Sequence, residues 1–269
     1  MSFELLLHDV GLKASAHTDT SRPRLSSITL RCRNGERIGL IGNNGAGKSS
    51  LARILCGLER QTSGQIRRQP GRARVMLILQ RPEEHFIAIT VREELAGYAP
   101  QKLNSAEIDN LLQTVGLEAS LAGRTPRTLS SGQQRALSLA CGLATRPDLL
   151  ILDEPMAGLD APSRALVMHS LKALSQTAQM ALCVVSHHPD DLLGWAERLW
   201  ALEAGALLYD GPFERVPVEV LDRCIDKESS SLFYTLRRLE EADFQLDPAV
   251  YQQRDAKTIA RLLEASFTP

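Results

Sequence analysis

Residues 42–49, Gly-Asn-Asn-Gly-Ala-Gly-Lys-Ser, carry small side chains, one amine and one hydroxyl at the spacing G-x-x-x-x-G-K-[ST]. Small residues let the backbone N–H groups of Gly42, Asn43, Asn44, Gly45, Ala46 and Gly47 turn inward on phosphate oxygens, and a helix starting there adds its positive end. Lys48 supplies a point charge to β- and γ-phosphates; the hydroxyl of Ser49, with Ser50 next to it, suits Mg²⁺. Further along, the apolar run "LLILDEP" delivers two adjacent carboxylates, Asp153 and Glu154. Asp153 is placed to hold Mg²⁺ through water, and Glu154 to polarise a water attacking a γ-phosphate. Each signal has a plainer reading, a glycine turn before a helix and a solvated pair of acids. Together they point to nucleotide hydrolysis. Gln80, Asp160 and His187 are weak singly, but each follows or neighbours a strand, and ligands of α/β sheets sit at the carboxyl ends of strands.

The elements that must position these groups are also legible. Residues 25–32 and 36–41 read as strands joined by the turn pair Asn34-Gly35, the second running into the glycine loop. "SSLARILCGL" has helical apolar spacing and stops near Gly57. Residues 73–79 form a buried-strand run with Gln80 at its end. Asn104 and Glu107 spell a capping box before a helix with Ile108, Leu111, Leu112 and Val115 on one face. The stretch "RTLSSGQQRALSLACGLA" opens another helix, with Leu137, Ala140, Cys141 and Ala144 inward. Two more buried strands, at 148–155 and 180–188, flank a helical stretch, and residues 199–211 read as a hairpin around Gly205. Alternating strands and helices predict an α/β fold with a mostly parallel sheet covered on both faces. From residue 212 the composition shifts, and a stripe of Leu232, Phe233, Leu236 and Leu239 predicts a small α-rich C-terminal domain over 212–269, after a main domain over 1–211.

Composition narrows the classes. With 269 residues, 43% hydrophobic and 23% charged, the chain reads as an ordinary globular protein, and a net charge of −1 gives no overall basic field for nucleic acid. No apolar run reaches the roughly 20 residues that span a bilayer, and "MSFELLLHDVG" lacks the basic start of a signal peptide. Five cysteines without a C-x-x-C pair predict reduced thiols and a reducing compartment.

The order of Gly42–Ser49, Gln80, "LSSGQ" (129–133), Leu149–Glu154, Asp160 and His187 resembles the ATP-binding cassette (ABC) ATPases over roughly residues 3–211. The resemblance implies a cassette fold: a parallel phosphate-loop core sheet, an antiparallel β subdomain, and a helical subdomain near 83–147. It also implies ATP and Mg²⁺ as ligands, with Ser49, Gln80 and Asp153 at the metal and Glu154, His187 and Gln80 in catalysis. In a head-to-tail dimer, Ser130, Ser131, Gly132, Gln133 and Asp160 of one subunit would meet ATP held by the other. A plainer reading of "SSGQQ" is a helix N-cap, a role it can fill at the same time.

Residues 79–98, "LQRPEEHFIAITVREELAGY", are similar to the ATPases of energy-coupling factor (ECF) importers of vitamins or transition-metal ions, as is the C-terminal "RRLEEADFQLDP…DAKTIARLLEA". That implies membrane partners, a transmembrane coupling protein and a substrate-binding protein, docking at Glu83, Glu84, Phe86 and Ile87, the last two an exposed apolar pair; the plainer alternative has Phe86 packed inside the helical subdomain. It further implies a C-terminal domain used in dimerisation, as a homodimer or with a paralogue, a peripheral place on the cytoplasmic face of the inner membrane, and no nucleic-acid partner. Two positions depart from the family. Ala14 stands where an aromatic residue stacks on adenine, leaving His17 as a substitute, and Ser131 replaces a glycine. Alternative readings are a soluble cassette ATPase acting on nucleic acid or ribosomes, an ATPase of another transporter class, or a subunit that only senses nucleotide.

Overall fold

The computed structural model describes residues 3–14, 23–177, 180–225 and 231–242. Nine strands occupy Glu4–Leu12 (β1), Leu25–Arg33 (β2), Arg37–Ile41 (β3), Ser63–Gln69 (β4), Val75–Ile78 (β5), Leu149–Asp153 (β6), Ala181–Val185 (β7), Arg198–Glu203 (β8) and Ala206–Pro212 (β9). The helices are Lys48–Cys56 (α1), Val91–Tyr98 (α2), Ser105–Thr114 (α3), Ser131–Ala144 (α4), Ala161–Thr177 (α5), Val218–Cys224 (α6) and Leu232–Glu241 (α7).

A six-stranded sheet, ordered β5-β6-β7-β3-β8-β9, is parallel except for β9, which returns antiparallel on β8. Its central strands read as unbroken apolar runs because both faces are covered. Side-chain alternation shares them between two cores. Leu149, Ile151, Cys183, Val185 and Trp200 face α1 and a three-stranded antiparallel sheet, β2-β1-β4. Leu150, Leu152, Leu182, Val184 and Leu199 face the helical layer of α2 to α5.

The turn at Asn34-Gly35 forms, but β2 and β3 do not pair with each other: β2 joins the antiparallel sheet and β3 the parallel one. The hairpin around Gly205 forms as read, with Ala204 and Gly205 both at positive φ, the geometry that a two-residue hairpin turn requires. Beyond β9, Phe213, Val216, Leu221, Phe233 and Leu236 are buried in the helical-side core. The predicted stripe thus packs inward through Phe233 and Leu236. The rest of the expected C-terminal domain, residues 243–269, lies outside the described residues, as does His17.

Candidate nucleotide site

The phosphate loop begins where β3 ends. Gly42 (φ 153°) and Gly47 (φ 101°) each occupy backbone where a Cβ would strike a carbonyl, Leu202 O at 2.4 Å and Arg24 O at 2.7 Å. Only glycine fits both constraints. The loop then feeds α1, whose first residue is Lys48. Its ammonium spans the loop, donating to Gly42 O at 2.6 Å and Asn43 O at 3.3 Å. Burial pulls the Lys48 pKa down from its ordinary value, while the nearby Glu154 and Asp153 carboxylates push it back up.

Adjacent parallel strands bring the acids and the histidine to the same rim. Asp153 ends β6 beside Val185 of β7. The next residue, Glu154, sits at φ 50° with its N–H bonded to Val185 O at 3.0 Å. This places the Glu154 carboxylate Oε2 2.7 Å from His187 Nδ1. The segment after β7 is braced by residues that sequence reasoning missed. Ser186 Oγ donates to the buried Asp191 carboxylate at 2.9 Å and accepts the His188 N–H at 3.0 Å. Gln80 follows β5, the neighbour of β6, and its carbonyl accepts from the buried Arg135 of α4.

A cavity of about 550 Å³ joins these groups: Asn44–Ser50, Gln80, Asp153, Glu154, His187 and Arg24 line it. It brings the predicted metal and catalytic residues together with the loop from Asn44 to Ser50 at the carboxyl ends of the strands; Gly42 and Asn43 are not in its lining, and the Asn43 side chain donates to Arg223 O at 2.8 Å. Arg24 was not foreseen. Ser49, Gln80 and Asp153 offer the oxygen donors that Mg²⁺ takes. Among the described residues no cluster of three or more His, Cys, Asp or Glu could hold a metal alone.

The residues expected to act across a dimer lie outside that cavity's lining. Ser130 caps α4 in a full capping box, accepting the Gln133 N–H while the Gln133 side chain accepts the Ser130 N–H. Gly132 allows a close helix contact: a Cβ there would lie 2.7 Å from Ser163 Cβ. Ser131, by contrast, is exposed and tolerates its side chain. Asp160 is exposed and accepts the Ser163 N–H at 3.0 Å; hydrogen bonding from the Ser163 hydroxyl, then from its N–H, lowers the carboxyl pKa.

One expectation is corrected. Phe86 and Ile87 are not an exposed pair: Phe86 is 4% exposed and part of the core, whereas Ile87 is 93% exposed. Phe86 is in extended backbone, where consecutive side chains point to opposite sides, and the buried Glu94 braces the segment, its Oε2 accepting the N–H groups of Ile87 (3.1 Å) and Ala88 (2.8 Å). Ile89, which the sequence reading passed over, is 75% exposed. Beside them lies an apolar hollow of about 210 Å³ lined by Met76–Leu79, His85, Phe86, Tyr98, Ser138 and Cys141. Glu84 is exposed and paired with Arg81 at 3.2 Å; the Glu83 side chain is outside the described set.

Comparison with known proteins agrees with this geometry. The ABC transporter family model matches residues 25–157. An energy-coupling factor transporter ATP-binding protein, EcfA2, of Clostridium tetani is 30% identical over 261 residues, covering 89% of this chain and 90% of that protein. A putative ABC transporter ATP-binding protein of Methanosarcina mazei is 29% identical, covering 96% and 92%. Among solved structures, cbiO1 of Clostridium perfringens, part of the transporter complex cbiONQ, superposes with a TM-score of 0.69 at 22% identity, covering 90% of this chain and 96% of that one. The ATP-binding cassette MJ0796 bound to ADP and Pi gives 0.65 at 22% identity, covering 78% and 98%. With its phosphate loop, its acidic strand end and its capped "LSSGQ" helix in one cassette fold, this chain belongs to the ABC transporter ATPases.

Proposed function

We propose that this chain is the ATP-hydrolysing subunit of an ECF-type importer that drives uptake of a vitamin or transition-metal ion through membrane partners. The observation that carries the hydrolytic reading is the Glu154–His187 contact at 2.7 Å on the rim of the cavity that Lys48 enters. Glu154 takes the proton of the water that attacks the γ-phosphate; His187 holds the carboxylate in place and donates a hydrogen bond to it. Lys48 and the loop N–H groups hold the β- and γ-phosphates, and burial makes that charge count for more than it would in water. Ser49, Asp153 and Gln80 would hold Mg²⁺, which supplies charge neutralisation on the phosphates. Ser130, Ser131, Gly132, Gln133 and Asp160 close on the nucleotide of a second subunit, with a helix N-terminus facing the anion, and the C-terminal segment joins the dimer.

The ECF assignment draws support from the named relatives and from the exposed Ile87 and Ile89 beside an apolar hollow, a surface suited to a partner helix with apolar side chains. Glu84, with Glu83 before it, rims that surface. Among the described residues no helix is long and apolar enough to cross a membrane, so the membrane path is assigned to partners. Affinity purification of the tagged chain from membranes tests this. Co-purification of an integral coupling protein and a small substrate-binding membrane protein is expected; recovery with ribosomes or nucleic acid and no integral protein would overturn it.

A further inference from the structure

Besides the phosphate loop and Gln80, Asp153, Glu154 and His187, one further charged side chain lines the nucleotide cavity, that of Arg24. Arg24 directly precedes β2, whose first residue, Leu25, pairs with Leu12 of β1. Ala14 lies two residues beyond Leu12 and is not among the residues that line the cavity.

The Arg24 guanidinium is fixed by its edge. Its Nη1 and Nη2 donate to the two oxygens of Glu59 at 2.5 and 3.3 Å, and Nη2 also donates to Ser50 Oγ at 2.6 Å. Two consequences follow. Glu59 offsets the charge, so Arg24 is a poor free cation for phosphate. With Nη1 and Nη2 committed at the edge, its planar face is the surface it can present to a ligand.

Resting on the nucleotide reading above, we propose that Arg24 is the base-recognition residue of this site: its guanidinium plane, positioned by Glu59, stacks on the purine, no Phe, Tyr or Trp being among the described residues that line the cavity. A guanidinium plane stacks on aromatic rings, which an ammonium cannot do. The contact grips the base without reading its edge, because every base has a π-face.

Calorimetric titration of the purified full chain with Mg-ATP and with inorganic tripolyphosphate, which has no base, tests this. Arg24→Ala should weaken ATP binding about tenfold and leave tripolyphosphate unchanged. Arg24→Lys should behave like Arg24→Ala, and Glu59→Gln should weaken ATP to a smaller degree by loosening the plane. Melting temperatures within a degree or so of the parent identify the variants as folded. Equal weakening of both ligands, or full rescue by lysine, would make Arg24 a charge contact to phosphate and overturn the stacking role; so would unchanged ATP affinity in Arg24→Ala. If the unaltered protein bound tripolyphosphate but not ATP, or neither, the nucleotide reading itself would fall and this assignment with it.

Discussion

Phe86 and Ile87 are neighbours in sequence with opposite environments, so substituting them separates packing from docking. Phe86 is 4% exposed, so truncation to alanine removes nearly a whole buried ring, a change that costs about 3–5 kcal/mol. It also borders a hollow of about 210 Å³, and a neighbourhood already part open has less contact to lose, which points to the low end, about 3 kcal/mol. At roughly 2–4 °C per kcal/mol for a domain of this size, Phe86→Ala should lower the melting temperature by about 6–12 °C. Ile87 and Ile89, at 93% and 75% exposed, bury little, and Ile87→Ser with Ile89→Ser should stay within about 0.5 kcal/mol of the parent. The assay is thermal unfolding of each purified variant, paired with recovery of the chain in the membrane fraction. The double serine variant should melt like the parent and lose membrane association. A Phe86→Ala melting point within a degree or two of the parent would refute its packing role. Undiminished membrane recovery of the serine variant would refute docking at Ile87 and Ile89.

Glu154→Gln keeps the shape of the carboxylate but cannot accept the proton, so steady-state ATP hydrolysis should fall by about 10²–10⁴-fold with Mg-ATP binding retained; normal turnover would place the base elsewhere. His187→Ala should lower kcat by more than it raises the Kd for ATP, since it removes the group that holds Glu154 rather than a phosphate contact; an effect confined to affinity would count against that role. Lys48→Ala should weaken ATP binding itself, measured by equilibrium titration, because a buried positive charge beside the phosphates is lost. Asp190 accepts from Ser231 Oγ, Leu232 N and Phe233 N at 2.7–2.9 Å and so anchors the start of α7; Asp190→Ala should cost about 1–2 kcal/mol, read as a lower denaturant midpoint, and an unchanged midpoint would show that the other contacts of α7 hold it without Asp190.

What the sequence determined by itself is local. The phosphate loop, the capping boxes at Asn104 and Ser130, the helix stop at Gly57 and the apolar strands β5, β6 and β7, of which β6 and β7 are fully buried and β5 is a half-buried edge, each depend on residues a few positions apart, where backbone sterics, short-range hydrogen bonds and apolar periodicity decide the outcome. The order of motifs along the chain then sufficed to assemble the Lys48–Asp153–Glu154–His187 site, because parallel strands must release their carboxyl ends on one edge. What only the tertiary structure decided depends on partners distant in sequence. The strand β4, "SGQIRRQ", carries no apolar alternation and is extended because β1 pairs with it. Pairing likewise sends β2 and β3 to different sheets despite a sound turn signal between them. Phe86 turns in and Ile87 out because the helical-side core takes up Phe86, on a segment that Glu94 braces through two hydrogen bonds to backbone that no periodicity encodes. Arg24 reaches the cavity through Ser50 and Glu59, 26 and 35 residues away, and Asp190 binds α7 across more than 40. Such contacts are set by where the chain returns in space, and a side chain's charge or length does not say which distant group it will meet.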